Sequence, residues 1–307
     1  MLNRLKYERL PRELKKRWSY EAFLSYRMQE MNIAQIEELV TEDELWDREK
    51  LLNAEAFRNI FNDKKEFFKR FHDDCEGRYV KRDILFLEDS GVGAFREFCS
   101  KYEKTVLKPV DKYAGLGIRI IDRVDAFEDD FAKLENEFTD LKASRYIAEE
   151  YVHQAKEYSD IYNKCLNTIR VTTFVKDGGE AGILFAVNQF GQKGSVVDNH
   201  DDAAIWASID VDTGIVTGAE VEALDGRVYD FHPDTGARIL GFENPCWAQI
   251  RDLAIELAGV VPECRLIGWD IAVRDDYSLE VIEGNVTPEL NLYQSVSGNG
   301  LRTALGI

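Results

Sequence analysis

Three oxygen-bearing side chains near the C-terminus, Asp270, Glu283 and Asn285, are spaced for joint chemistry. Asp270 lies in Leu266-Ile267-Gly268-Trp269-Asp270-Ile271-Ala272-Val273, the other two in Leu279-Glu280-Val281-Ile282-Glu283-Gly284-Asn285. Both stretches are rich in Val, Ile, Leu and Trp and read as β-strands, with 274–278 as the turn of a hairpin. Strand alternation puts Asp270 on a face with Gly268 and Ala272, and Glu283 on a face with Asn285. Facing residues of an antiparallel pair lie about 5 Å apart at Cβ. If Val273 pairs with Glu280, Asp270 stands opposite Glu283; a tighter turn shifts the register by one and needs a bulge to restore that pairing. Two carboxylates and an amide oxygen converging on one spot repel unless a cation sits between them, and hard oxygen ligands of this kind suit Mg²⁺. A solvated hairpin with chance acids has the same spacing, but the apolar neighbours speak for buried strands, where bare charge is costly.

A positive counterpart lies upstream. Lys108-Pro109 closes a strand and runs into Val110-Asp111-Lys112-Tyr113-Ala114-Gly115-Leu116-Gly117. Pro109 ends pairing there, and Gly115 and Gly117 let backbone N–H groups turn toward an anion. Lys108 and Lys112 add charge suited to a polyphosphate. The loop matches neither G-x-x-x-x-G-K-[ST] nor G-x-G-x-x-G, which disfavours P-loop and Rossmann nucleotide binding; a plain hairpin loop with two surface lysines is the competing reading. In Asn167-Thr168-Ile169-Arg170-Val171-Thr172-Thr173, Arg170 shares a face with Thr168 and Thr172 in a strand expected to be half-buried. A buried Arg needs carboxylate or phosphate partners, so Arg170 is either a member of a structural ion pair or a fork for a phosphoryl group in flight.

The elements that must position these groups change texture along the chain. Residues 1–62 read as helical throughout, with a capping box at Thr41-Glu42-Asp43-Glu44. They carry no strands or Gly-rich turns and are expected to pack on the rest. Residues 63–152 follow a β-α-β-β-α-β-like order with strands near 84–87, 105–109, 118–121 and 146–152, and helices near 94–98 and 127–138, which suggests a small α+β lobe. Residues 153–307 are strand-rich: 168–175, 182–188, 205–209, 215–221 and the C-terminal hairpin, with one amphipathic helix at 247–258.

Composition narrows the function. At 307 residues the chain can hold two or three subdomains, and its net charge of −18 argues against a nucleic-acid backbone or an anionic membrane as partner. No apolar run approaches the roughly 20 residues needed to cross a bilayer, and the N-terminus lacks a signal-peptide core. Cys75, Cys99, Cys165, Cys246 and Cys264 are odd in number and contain no CxxC pair, which favours reduced thiols and a cytoplasmic location. The four histidines are scattered, and the chain has neither a G-x-S-x-G elbow nor an HExxH motif.

Taken in order, Lys64, Lys108 with the glycine loop, Glu149-Glu150-Tyr151-Val152, Asn167-Thr168-x-Arg170, Gly268-Trp269-Asp270 and Glu283-Gly284-Asn285 resemble the ATP-grasp superfamily over roughly 60–300. Val196-Val197-Asp198-Asn199, His232-Pro233-Asp234-Thr235-Gly236 and the Pro245/Trp247 pair resemble its sugar-transfer-associated branch. The resemblance implies an α+β fold with two lobes closing on ATP. It implies that Lys64 and Lys108 lie along the nucleotide, and that the 112–117 loop covers its β- and γ-phosphates. It also implies that Glu149 and the backbone of Tyr151 and Val152 hold adenine, with Glu157 the best candidate for the ribose hydroxyls. Asp270, Glu283 and Asn285 would hold Mg²⁺, and Arg170 would steady the transferring phosphoryl. The chain departs from the branch at His200-Asp201-Asp202-Ala203-Ala204, where glycines are usual, and in its helical N-terminus, which stands where many members carry a Rossmann-like domain.

The activity implied is an ATP- and Mg²⁺-dependent carboxylate–amine ligase working through an acyl phosphate, its acid or amine belonging to a cell-surface sugar, an amino acid or a peptide. A kinase acting on a hydroxyl or amide, and a non-catalytic nucleotide- or sugar-binding module, are the rival readings. The N-terminal helices offer an interface for an oligomer.

Overall fold

The computed structural model describes residues 2–112, 115–122, 131–198, 204–221 and 229–307. Tyr113 and Ala114 of the glycine loop, the start of the helix expected from Phe127, and Asn199 with His200-Asp201-Asp202-Ala203 lie outside the described residues.

The N-terminal stretch is helical as its periodicity requires: α1 (Leu2–Glu8), α2 (Arg12–Arg17), α3 (Tyr20–Ser25), α4 (Ile33–Glu38), α5 (Glu42–Leu52), α6 (Glu55–Asn62) and α7 (Lys64–Phe68). Thr41 caps α5 through the expected reciprocal box with Glu44. The small sheet holds β1 (Ile84–Phe86), β2 (Lys104–Pro109), β3 (Arg119–Asp122) and β4 (Tyr146–Glu150) in the order β1-β4-β2-β3, all antiparallel. It is backed by α8 (Val92–Lys101) and α9 (Phe131–Ala143) over a core that includes Leu87, Phe95, Leu107 and Ala148. After α10 (Lys156–Ile161) comes the large sheet, built from β5 (Thr168–Val175), β6 (Ala181–Gly191), β7 (Ala204–Ile209), β8 (Val216–Val221), β9 (Leu266–Val273) and β10 (Leu279–Asn285). Its order is β10-β9-β5-β6-β7-β8, again antiparallel. Further α-helices among the described residues are α11 (Trp247–Leu257), α12 (Leu290–Ser297) and α13 (Arg302–Leu305).

Both faces of the large sheet are covered. One packs Ile169, Val171, Trp269 and Ile271 against α11 and against Phe61, Phe67, Phe71 and Tyr79 from the chain before β1. The other packs Val187 and Trp206 against Leu45 and Leu52 of α5 and Leu290, Leu292 and Val296 of α12. Each fully buried aliphatic chain there contributes roughly 1.5–3 kcal/mol. The N-terminal helices thus pack on the rest, as expected, although Leu10, Trp18, Phe23, Met28 and Ile36 form a core of their own. Coverage of both faces leaves β5 buried along nearly its whole length rather than half-buried. A single strand's alternation cannot reveal what lies against its polar face.

The C-terminal hairpin takes the tighter of the two registers. Leu279, not Glu280, pairs with Val273, and a bulge between Val281 and Glu283 restores the pairing of Glu283 with Asp270 and of Asn285 with Gly268. Val281 points into the α11-side core. Without the extra residue, Glu283 would follow it there, so the bulge brings the carboxylate round to the site.

Candidate active site

Arg170 of β5, Asp270 of β9 and Glu283 of β10 stand side by side across three adjacent strands, since Arg170 pairs with Asp270 and Asp270 with Glu283. Arg170 is 1% exposed. Its Nε and Nη2 donate to the two oxygens of Asp270 at 2.7 and 2.8 Å, its Nη1 donates to Glu289, and its guanidinium lies 5.3 Å from the centre of the Trp206 ring. Burial alone would lower the Arg170 pKa, but Asp270 and Glu289 more than offset it and hold the charge firmly. In this arrangement the Arg170 fork is taken up by the Asp270 and Glu289 carboxylates, an ion pair. Burial pushes Asp270 up to about 6, with Arg170 opposing and Glu283 and Glu289 adding to the rise. Glu283 goes the other way: burial would raise it, but Lys64, Arg170 and Lys108 together hold it below the ordinary carboxylate range.

Asn285 completes the set. Its Nδ2 lies 3.3 Å from an Asp270 oxygen and 3.5 Å from a Glu283 oxygen. An amide nitrogen bridging two acids satisfies them in the way a cation would, and rotating the amide by half a turn presents Oδ1 instead. Two hard carboxylates, one of them destabilised by burial, and an amide oxygen therefore fit a divalent ion such as Mg²⁺. Among the described residues no site gathers three or more His, Cys, Asp or Glu side chains for a metal. The donors here are two acids and an amide.

Across the cleft, the small sheet supplies the positive side. Lys108 Nζ lies 2.5 Å from Glu149, and Arg82 donates to the other Glu149 oxygen at 3.2 Å. Burial would raise Glu149, but Arg82 and Lys108 bring it down to about 2. Arg82 also donates to Glu280 at 2.9 Å and to the carbonyls of Val281 and Ile282 at 2.9 and 3.1 Å, so it ties the small sheet to the bulge of β10. Lys64 donates to the carbonyls of Val110 and Lys112, anchoring the glycine loop, and its pKa is lowered chiefly by burial. Gly115 and Gly117 have φ of 68° and 83°. A Cβ on Gly115 would meet Val197 at 2.9 Å, and one on Gly117 would meet the Tyr146 hydroxyl at 2.8 Å. Both positions need glycine for conformation and for space.

Lys64, Lys108, Lys112, Gly115, Glu149, Tyr151, Val152, Asp270 and Glu283 line one cavity between the sheets, with Val106, Ile118, Ile120 and Leu166 as its apolar part. Asn285 lines the adjoining chamber with Lys64, Lys108 and Glu283. Gly117 sits behind the lining, its carbonyl accepting from Tyr146. The Glu149 carboxylate, expected at adenine, is engaged by Lys108 and Arg82. Glu157, the ribose candidate, is not brought to the cavity, because α10 turns it toward the β9–β10 loop, where it accepts from the Tyr277 hydroxyl at 2.9 Å. Three residues went without a role in the sequence reading. Arg82 bridges the lobes, Glu289 holds Arg170, and Asp198 lines the cavity, one of its oxygens accepting from Thr168 N at 2.7 Å and Thr168 Oγ1 at 2.6 Å. Burial raises Asp198 to about 7 against those hydrogen bonds, and nearby Asp270 adds to the rise. Val196-Val197-Asp198 was visible as a motif, but its depth in the cleft was not; Arg82 and Glu289 carry no local signal.

No curated protein matches the chain. The ATP-grasp ligase PsnB complexed with minimal precursor, Mg and ADP is 15% identical, with a TM-score of 0.48 over 83% of this chain and 60% of that one. The biotin carboxylase complex from Campylobacter jejuni is 14% identical, with a TM-score of 0.48 over 81% and 47%. The N5-carboxyaminoimidazole synthetase from Staphylococcus aureus complexed with ADP is 11% identical, with a TM-score of 0.44 over 74% and 45%. The chain thus spans at most about three-fifths of these structures. The family described as sugar-transfer associated ATP-grasp matches residues 48–306, from within α5 to the last residue but one. The chain belongs to the sugar-transfer-associated ATP-grasp family, and its two antiparallel sheets with their helices are the α+β fold of that family.

Proposed function

We propose that the chain is an ATP-dependent carboxylate–amine ligase. The observation that carries this reading is that Asp270 and Glu283 of the large sheet line a single cavity with Lys64 of α7 and Lys108 of the small sheet, while Arg170 stands beside Asp270 in the adjacent strand. Carboxylates on one wall and lysines on the other suit a polyphosphate bridged by cations, and no protein nucleophile is required. The apolar slot between Val106, Ile120 and Leu166 suits a flat purine, with the Tyr151–Val152 backbone at its edge. Lys64, Lys108, Lys112 and the Gly115–Gly117 turn would hold the phosphates. Bound Mg²⁺, held by Asp270, Glu283 and Asn285, would neutralise charge developing on the transferring phosphoryl. Arg170 keeps Asp270 oriented and ionised.

In this reading a substrate carboxylate attacks the γ-phosphorus in line and ADP leaves. An amine then attacks the acyl carbon of the acyl phosphate, phosphate departs, and the amine's proton passes to Asp198. Asp198 lines the same cavity and is buried there against Thr168, which puts its carboxylate within the site to take that proton. The acid or amine would come from a sugar, an amino acid or a peptide.

Incubation with ATP, Mg²⁺, hydroxylamine and a panel of sugar and amino acids tests this. A hydroxamate formed together with ADP supports the ligase. A stable phosphorylated product with no hydroxamate would mean a kinase, and nucleotide binding without ADP release from any acid would mean a binding module.

A further inference from the structure

A second cleft lies beside the active site, between α5 and the segment joining β10 to α12. It is an open cleft of about 490 Å³ whose walls include Asp43, Trp46, Glu49, Thr287 and Glu289. Acids in the first turn of α5 need no ligand to explain them: Glu42 and Asp43 offset the positive end of the helix dipole, and Glu42 also accepts from Asn291 at 3.2 Å. Glu49 has no such reason. It sits in the last turns of α5, where the dipole opposes a negative charge, and it is 6% exposed while lining the cleft. Among the described residues its carboxylate has neither a hydrogen bond nor an ion pair. Burial pushes it up to about 7; Arg58 opposes the rise and Glu289 adds to it. A buried carboxylate left in this state is costly unless a cation meets it.

Two further features say what kind of cation. Trp46 is 53% exposed on the wall of the cleft, and Lys50 Nζ rests 4.7 Å from the centre of its ring; an arriving ammonium would take the place of Lys50 on that ring. Leu45 and Leu290 supply apolar lining, which a hydrated metal ion does not use and an alkyl chain does. The cleft also adjoins the catalytic chamber: Thr287 lines both, and Glu289 reaches from this cleft to Arg170.

We infer that this cleft binds a small organic ammonium, the distal amino group of a diamine-type acceptor whose other amino group passes Thr287 into the active site. The inference rests on the ligase reading for the word acceptor, but not for binding itself. Carboxylates hold an amine protonated and non-nucleophilic, so the group seated here is the anchor and a second amine is the nucleophile.

Calorimetric titration of the full chain without nucleotide, using putrescine, cadaverine, spermidine and lysine amide in turn, tests it. 1,4-Butanediol serves as the uncharged control and calcium chloride as the metal control. At least one amine is expected to bind and the diol not. Glu49→Gln should weaken that amine by roughly tenfold. Trp46→Ala, an exposed position where folding is not at stake, should weaken it by roughly fivefold. Neither variant should change the affinity for a non-hydrolysable ATP analogue. The inference is overturned if none of the four amines binds, if both variants bind the amine as tightly as the parent, or if calcium binds and displaces the amine. Hydroxamate formation without amine binding would leave the ligase standing and remove this cleft. Amine binding lost in Glu49→Gln, with no acid ever activated, would keep the cleft and remove the ligase.

Discussion

Neighbouring acids in this protein are driven in opposite directions by what surrounds them. Burial raises both, but for Asp270, pushed up to about 6, Arg170 alone opposes it and Glu283 and Glu289 add to the rise, whereas Lys64, Arg170 and Lys108 together bring Glu283 down. Asp270→Asn and Glu283→Gln are each expected to lower ADP release by at least about 100-fold, while leaving a cooperative thermal transition. ADP release unchanged in both would remove the metal assignment. Stability should respond to pH with opposite signs at two other acids. Glu149, held near 2 against an ordinary value of about 4.3, stabilises the fold above that ordinary value, and the contribution is lost as pH falls toward 2. Glu149→Gln takes the carboxylate from Lys108 and from one arm of Arg82, which keeps Glu280, and should cost about 3 kcal/mol at pH 7 and much less near pH 2. Glu49, raised to about 7, costs stability as pH climbs from about 4.3 through 7. Glu49→Gln should therefore raise the melting temperature at pH 8 and barely alter it at pH 4. An equal shift at both pH values would deny Glu49 its buried charge.

At the scale of elements, one inserted residue and one loop decide where the chemistry sits. The bulge in β10 lets a strand whose Val281 faces the α11-side core deliver Glu283 to the opposite face, and Arg82 satisfies the Val281 and Ile282 carbonyls beside it. The glycine loop is shaped by positive φ and by contact with Val197, immediately before Asp198. Gly115→Val is expected to weaken nucleotide binding by roughly tenfold or more with little change in melting temperature, since the strain falls on a surface loop. Calorimetry with an ATP analogue checks it, and unchanged affinity would detach the loop from the phosphates. The sequence made the strands and the spacing of Asp270, Glu283 and Asn285 legible, together with the requirement that a shifted turn be repaired by a bulge. It did not show which of the two registers is used, because turn length and bulge depend on how Val281 and Leu279 pack.

At the scale of the whole molecule, two sheets meet through a small number of charged links. Arg82 joins Glu149 to Glu280, and Arg274 joins Glu150 at 2.7 Å to Glu280 at 3.2 Å. The cavity between the sheets encloses about 130 Å³, well below the ~300 Å³ at which ligand pockets begin. Nucleotide binding is therefore expected to move the small sheet outward from the large one. Hydrogen exchange should register this as altered protection in β2–β4 and the β9–β10 loop when an ATP analogue is added. Identical exchange with and without the analogue would mean that the nucleotide lies elsewhere. No described helix is long and apolar enough to cross a membrane, and all five cysteines are free thiols.

What the sequence determined by itself was local: strand and helix periodicity, the α5 cap, and the family to which the ordered motifs point. These follow from side-chain chemistry and spacing along a few turns or strands. Tertiary structure alone decided the partners. Arg170 is clasped by Asp270 and Glu289, Glu149 is claimed by Lys108 and Arg82, Glu157 is turned to Tyr277, Asp198 is raised by burial, and Glu49 is left without a partner. Each outcome depends on groups distant in the chain and on how much water is excluded between them, and neither quantity is written in the spacing of residues.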